Sequence, residues 1–283
     1  PASEPGIWAN HGHLASKMRL SNHWRDLRLP VFLFTVIRRP AERCLSKFYH
    51  FAASRRGANN TAEAKVHNLQ GCNDDVFNYI RPSLNTSDPQ SLVRSTFSFI
   101  GLAERYDESM VLLASMLRLP LSQVLYLKSK DSHVVNSTDY DFPGAKPMPH
   151  PPLAEESLVV RQEVASERFK TRNKLDFALH TFAGAELDRR WAANRAELDE
   201  QLARFKAMRE KAEGLCKGDT QETKVCYWKD NGCAYHCLDR IAPASAADGA
   251  GAGPFESDLL WGPQGRPLRQ SASPHRTLIS GKR

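Results

Sequence analysis

No run in the chain approaches the roughly 18 consecutive apolar residues of a membrane-spanning helix, and no signal-peptide pattern opens it. The first residue is Pro1 rather than Met, so the chain reads as a processed or partial form of a longer product. Paired C-x2-C knuckles are absent, which argues against a zinc fold, although Cys233, His236 and Cys237 include plausible ligands. No Gly-rich loop carrying Lys and Ser/Thr follows an apolar strand, so nothing here matches a 5′-phosphate cradle. No DNA- or RNA-binding motif accompanies the basic balance of +7. Charge of that sign fits an anionic partner (nucleic acid, a nucleotide or an acidic polysaccharide) without choosing among them.

What the 283 residues do contain is enough length for a substantial core. The most informative stretch is Leu29 to Arg56. Val31 to Ile37 is a short, aromatic and β-branched apolar run, suited to a strand buried on both faces. Arg38 and Arg39 end it, and Pro40 sits where a first helical residue would, its missing N–H costing nothing there. Ala41, Cys44, Leu45, Phe48, Tyr49 and Ala52 then form one helical apolar stripe, on which Cys44 is expected as a buried free thiol. A strand running into a helix N-terminus favours anions through free N–H groups and the helix dipole. Arg38 adds a planar fork of donors and Ser46 a hydroxyl about two turns along. The expectation is a phosphate site at the carboxyl end of a strand, where open α/β sheets usually bind ligands.

Upstream, Asn10-His11-Gly12-His13 places two imidazoles around a glycine that allows close backbone approach. By themselves, such histidines are more often a surface loop than a catalytic group. Downstream, Ala53 to Ser95 reads as loops with short helices. Phe97 to Leu102 (FSFIGL) is a second strand, followed by a helix that Asp107 would cap and whose stripe is Met110, Leu113, Ala114 and Leu117. Val124 to Lys128 (VLYLK) is a third expected strand. Ser129 to Pro152 is a Pro- and His-bearing connector, near the acceptor site or merely a linker. Residues 155–214 are expected to be helical, with Val160, Val164, Phe169, Leu175, Phe177, Leu179 and Phe182 in the core. A long charged helix from Asp176 carries Trp191, Leu198, Leu202 and Phe205.

Four of the six cysteines, Cys216, Cys226, Cys233 and Cys237, cluster late and fit two disulfides of open connectivity, hence an oxidising compartment. Sequons at Asn59, Asn85 and Asn136 lean the same way. Residues 1–242 are read as one domain and 243–283 as a disordered Ala/Gly/Ser/Pro-rich tail.

The run T-V-I-R-R-P-A-E-R-C-L-S-K-F-Y resembles the 3′-phosphate-binding segment of the Golgi carbohydrate sulfotransferases, V-[IL]-R-D-P-x-x-R-x-x-S-x-[FY]-[FY]. In that family the Arg and the Ser eight residues later hold the 3′-phosphate of 3′-phosphoadenosine 5′-phosphosulfate (PAPS), positions occupied here by Arg38 and Ser46. Arg39 departs from the family's Asp and makes the junction more basic. The H-G-H ahead of this segment resembles the uronosyl 2-O-sulfotransferases of heparan and chondroitin/dermatan sulfate, which implies His13 as general base. F-x-F-I-G-L-A-E-R-Y-D-E-S and Asn173-Lys174-Leu175-Asp176 resemble further segments of the superfamily, so that the likeness spans about residues 7 to 240.

The resemblance implies an α/β, three-layer, P-loop-like fold with a short parallel sheet. The first strand and the 5′-phosphosulfate loop are expected upstream of Pro1, so this chain alone should bind PAPS poorly. It implies sulfuryl transfer from PAPS to a glycan hydroxyl without a metal, in the Golgi lumen, with any membrane anchor upstream. The alternative is a non-catalytic, glycan-binding secretory protein on a degenerate scaffold.

Overall fold

The computed structural model describes residues 32–83, 85–127, 148, 150–216 and 235–245. The chain is mostly helical around a short two-stranded parallel sheet, an arrangement compatible with the α/β class. β1 (Phe34–Ile37) and β2 (Phe99–Leu102) lie side by side with Phe34 opposite Phe99 and Ile37 opposite Leu102. The register is closed at its start by Leu33, whose carbonyl accepts from the Ser98 N–H at 2.7 Å and whose N–H donates to Ser98 Oγ at 3.2 Å.

α1 (Pro40–Lys47) follows β1 after two residues, with Pro40 in its first turn, and continues as a π-helix over Phe48–Ser54. The wider π turns rotate the expected stripe. Ala53 and Ser54 are buried, Ala52 is only half-buried, and Phe51 is 48% exposed. α2 (Ala62–Gln70) is capped by the Thr61 hydroxyl, which accepts from the Ala64 N–H, and packs on α1. That packing brings Cys72, just past α2, to Cys44. The two form a disulfide with Cα atoms 6.4 Å apart, each residue 1% exposed. The expectation of a free Cys44 thiol is therefore corrected: a place on the apolar stripe dictates burial and says nothing about a partner 28 residues away.

α3 (Asp75–Ile80) is followed by a helical turn at Pro89–Ser91 that runs into a π-helical turn at Leu92–Thr96, and then by β2. α4 (Tyr106–Leu117) leaves β2 through a single 3-10 turn at Ala103–Arg105. Gly101 is required by close approach: a Cβ there would lie 2.9 Å from Ser109 Cβ of α4. The Ser109 hydroxyl uses that space to accept from the Leu102 N–H at 2.9 Å and donate to the Leu102 carbonyl at 3.2 Å.

The helical tract resolves into α5 (Leu158–Ala165), α6 (Glu167–Arg172), α7 (Lys174–Ala193) and α8 (Arg195–Cys216). The long charged helix is thus two helices, broken at Asn194. α7 buries Leu179, Ala183, Leu187 and Trp191 at successive turns. It meets the sheet where Gly184 comes against the Leu102 side chain. Neighbouring strand residues point to opposite faces, so α4 against Gly101 and α7 against Leu102 cover the sheet from two sides.

The third strand does not form among the described residues. Leu121–Val124 is a 3-10 turn, and Leu125 to Leu127 follow without a ladder partner. Side chains win there: the Tyr126 hydroxyl donates to Asp107 Oδ1 at 2.7 Å, its ring meets Tyr106 edge-on, and Leu125 joins the main core. Asp107 accordingly lies inside the first turn of α4, bonded to Tyr126 and Arg209, rather than capping it; Arg105 holds the cap position.

α3 and α7 cap each other. Asp74 sits in the left-handed region (φ 49°), and its Oδ1 accepts from the N–H groups of Leu175 and Asp176 at 2.7 and 3.0 Å. In return, Asp176 accepts from the Phe77 and Val76 N–H groups at 2.7 and 3.2 Å. Asn173 and Asp176, the motif residues ahead of the long helix, are buried and serve this join.

α9 (Tyr235–Ser245) is tied to the end of α8 by the Cys216–Cys237 disulfide, Cα atoms 5.8 Å apart. Of the four late cysteines, Cys226 and Cys233 lie outside the described residues. No helix among the described residues is long and apolar enough to cross a membrane.

Candidate functional site

Both strands end at the same edge, and both run within a few residues into helices. Arg38 and Arg39 leave β1 at that edge. Arg38, whose side chain is 39% exposed, donates from Nε to Glu42 Oε2 at 3.2 Å. Arg39 is more exposed and lies 3.4 Å from Glu42 Oε1 and 3.8 Å from Glu104 Oε1. Glu42 and Ser46 are spaced i, i+4 on α1, so they share one stripe. Arg38 pairs with Glu42, and Ser46, one turn further along, is half-buried.

The other cations of α1 are committed elsewhere. Arg43 and Lys47 both donate to Asp75 Oδ2, at 2.8 and 3.0 Å. Burial works against ionisation of that carboxyl, yet the two cations together hold it below its usual value. Arg105 is likewise engaged, by Glu108 and by Asp188 at 2.5 Å. Arg38 and Arg39 share Glu42 as a counter-ion, and Arg39 also lies near Glu104. His13 lies outside the described residues.

Two groups beside the stripe carry no periodic signal in the sequence. One is His150, at the end of the Pro-rich connector. Its ring stacks on Tyr49 with centroids 4.5 Å apart. Burial, and then the charge of Arg38, hold its pKa below the ordinary imidazole value, against the pull of Glu156. Beneath it the Tyr49 hydroxyl donates to buried Glu156 at 2.5 Å, and Lys65 pairs with the same carboxylate at 2.8 Å. Burial and the Glu156 contacts push the Tyr49 hydroxyl far above its usual range, so it stays a donor at any physiological pH. The second group is His180 of α7, which hydrogen-bonds Glu104 at the end of β2. Neither histidine was distinguishable from a surface residue in the chain, because the contacts that seat them span 76 positions for His180 and, from Tyr49 to His150, 101 positions.

Among the described residues no group of three or more His, Cys, Asp or Glu side chains is placed to hold a metal ion. Chemically, the edge can accept an anion with two or more oxygens, oriented by a guanidinium and a hydroxyl. No family model matches the chain, and no curated protein or solved structure matches it.

Proposed function

We propose that this chain is a PAPS-dependent carbohydrate O-sulfotransferase of the Golgi type, closest in motif to the uronosyl 2-O-sulfotransferases. The observation that carries the reading is the β1–α1 junction: a strand of a parallel sheet runs after two residues into a helix, with Arg38 at the carboxyl end of the strand and Ser46 on the helix, in the motif order expected for a 3′-phosphate site. The two disulfides favour an oxidising, lumenal setting, and the fold proposed is the three-layer sulfotransferase fold.

In this reading Arg38 and Ser46 anchor the 3′-phosphate of PAPS. His13 takes the proton from an acceptor sugar hydroxyl as its oxygen attacks sulfur in line. The new O–S bond forms as the bond between sulfur and the bridging phosphate oxygen breaks. Adenosine 3′,5′-bisphosphate (PAP) departs with the electron pair, its charge met by fixed cationic donors. The acceptor is a polysaccharide or other glycan.

The second reading, a non-catalytic glycan-binding protein on the same scaffold, is favoured by one observation: Glu42 already pairs with both junction arginines. In a version of the protein extended upstream of Pro1, transfer of labelled sulfate from PAPS to a desulfated glycosaminoglycan or a galactan separates the two. Turnover that disappears in His13→Ala while PAP still binds is expected, and equal turnover in that variant rejects the base assignment. Glycan retention with neither turnover nor PAP binding selects the second reading.

A further inference from the structure

Two exposed asparagines stand on turns that lead into capped helix starts. Asn59, followed by Asn60 and Thr61, lies between the π-helical segment and α2. Asn85, followed by Thr86 and Ser87, lies between α3 and the turn at Pro89–Ser91 that Asp88 caps. Each opens an Asn-x-Ser/Thr triplet whose middle residue is not proline, the acceptor pattern for an N-linked glycan on a surface loop. Neither carboxamide has a hydrogen-bond partner among the described residues. The Thr61 hydroxyl, by contrast, is engaged at both its atoms. Its oxygen accepts from the Ala64 N–H at 3.2 Å and so caps α2. Its hydrogen goes to Glu63, whose carboxyl is held below the usual value by its own N–H and by this hydroxyl.

We propose that Asn59 and Asn85 carry N-linked oligosaccharides, and that the sugar at Asn59 is attached before α2 closes. This rests on the lumenal setting above and is independent of the nucleotide site. In the transfer, Asn Nδ2 forms a bond to the anomeric carbon of a lipid-pyrophosphate-linked oligosaccharide as the bond from that carbon to the pyrophosphate oxygen breaks. The lipid pyrophosphate leaves with the electron pair, and Nδ2 gives up one hydrogen as a proton. A transferase that recognises the triplet has to reach the hydroxyl of its third residue. In the folded chain the Thr61 hydroxyl is already committed to α2. Attachment at Asn59 and capping of α2 are therefore successive uses of one group. The sugar leaves the phosphate junction open. α1 and its π-helical extension, 8 and 7 residues long, set Asn59 roughly 15–20 Å from Arg38 along the helix axis.

The experiment treats the protein, purified from its own source, with peptide N-glycosidase in heavy-oxygen water and weighs its peptides by mass spectrometry. Aspartate bearing heavy oxygen is expected at positions 59 and 85. An asparagine found without sugar overturns the assignment at that position. Intact disulfides with both asparagines bare bring down this proposal alone. Free thiols at Cys44, Cys72, Cys216 and Cys237 bring down the lumenal reading and this one with it. Thr61→Asp keeps a cap for α2 but removes the triplet, so it should lose the sugar at position 59 and melt as Asn59→Gln does. Sugar retained at position 59 in that variant overturns recognition through the Thr61 hydroxyl. The order of events is read by translating the chain behind a cleavable secretion signal. Sugar should reach Asn59 when microsomes are present during synthesis, and not when detergent-opened microsomes are added to the folded, sugar-free chain. Equal addition in the two cases overturns attachment before α2 closes.

Discussion

Replacing Arg38 with Ala should weaken PAP binding far more than replacing Arg43, although both arginines stand on the same basic helix start. A guanidinium fork gives a phosphate two charge-assisted bonds, each worth about 1.5–3 kcal/mol net. Against this, Arg38 must leave Glu42, an i,i+4 pair worth about 0.3–0.5 kcal/mol, which lies at 3.2 Å. Because the Arg38 side chain is 39% exposed, solvent screening places the sum at the low end. The net loss is about 2–3 kcal/mol, or roughly 30- to 140-fold in Kd at 1.4 kcal/mol per decade. Arg43 already donates to Asp75 at 2.8 Å, so Arg43→Ala should leave the Kd within about twofold and lower stability only modestly. Isothermal titration of the upstream-extended protein and its variants with PAP supplies the numbers. Adenosine 5′-phosphosulfate, which lacks the 3′-phosphate, is the control: the preference for PAP over it should collapse in Arg38→Ala alone. Equal losses in the two variants, or a preference for the 3′-phosphate that survives Arg38→Ala, would refute the placement of the phosphate at this junction.

Three further outcomes follow from the packing. Replacing Cys44 and Cys72 together by Ser should cost about 3.6 kcal/mol, the loop-closure value for a separation of 28 residues. Urea denaturation of the reduced variant against wild type measures it, and a loss under about 1 kcal/mol would mean the loop is ordered without the bridge. Gly101→Ala should destabilise by about 1–3 kcal/mol through overpacking against Ser109, 2.9 Å away, and Ser109→Gly in the same background should recover part of it. Asp75 has a folded pKa below its usual 3.8, so the stability it contributes is present above that value and is lost as pH falls through the lowered one. The melting-temperature gap between wild type and Asp75→Asn should accordingly be open at pH 5 and narrow toward pH 2.5.

Local chemistry made the β1–α1 junction readable from the chain. β-Branched residues, a Pro in the first helical turn and a 3.6-residue stripe all act within a dozen positions, and strand and helix emerge where that pattern puts them, although β1 is shorter than the apolar run and only Ile37 in it is fully buried. β2 and α4 were legible for the same reason. Val124 to Lys128 has equally good strand composition, but a strand needs a neighbour, and Asp107 and Arg209 draw Tyr126 away from the sheet. The Cys44–Cys72 bridge was hidden because burial of Cys44 was decided by its stripe while its partner was decided by how α2 packs. His150 shows the limit most clearly. Prolines around it signal an irregular backbone and carry no information on which helix that backbone will meet.

The mutual capping of Asp74 and Asp176 has a consequence for how the protein is made. Each carboxylate closes a helix start that belongs to the other half of the chain, about 100 positions distant. During translation the ribosome releases the Asp74 side long before residue 176 leaves the exit tunnel. Until then α3 has no partner for its leading amides, and the strand pair lacks the helix that seals its second face. The nascent amino-terminal half should therefore depend on chaperones and remain sensitive to protease, and acquire resistance in one step once the segment through α7 has emerged.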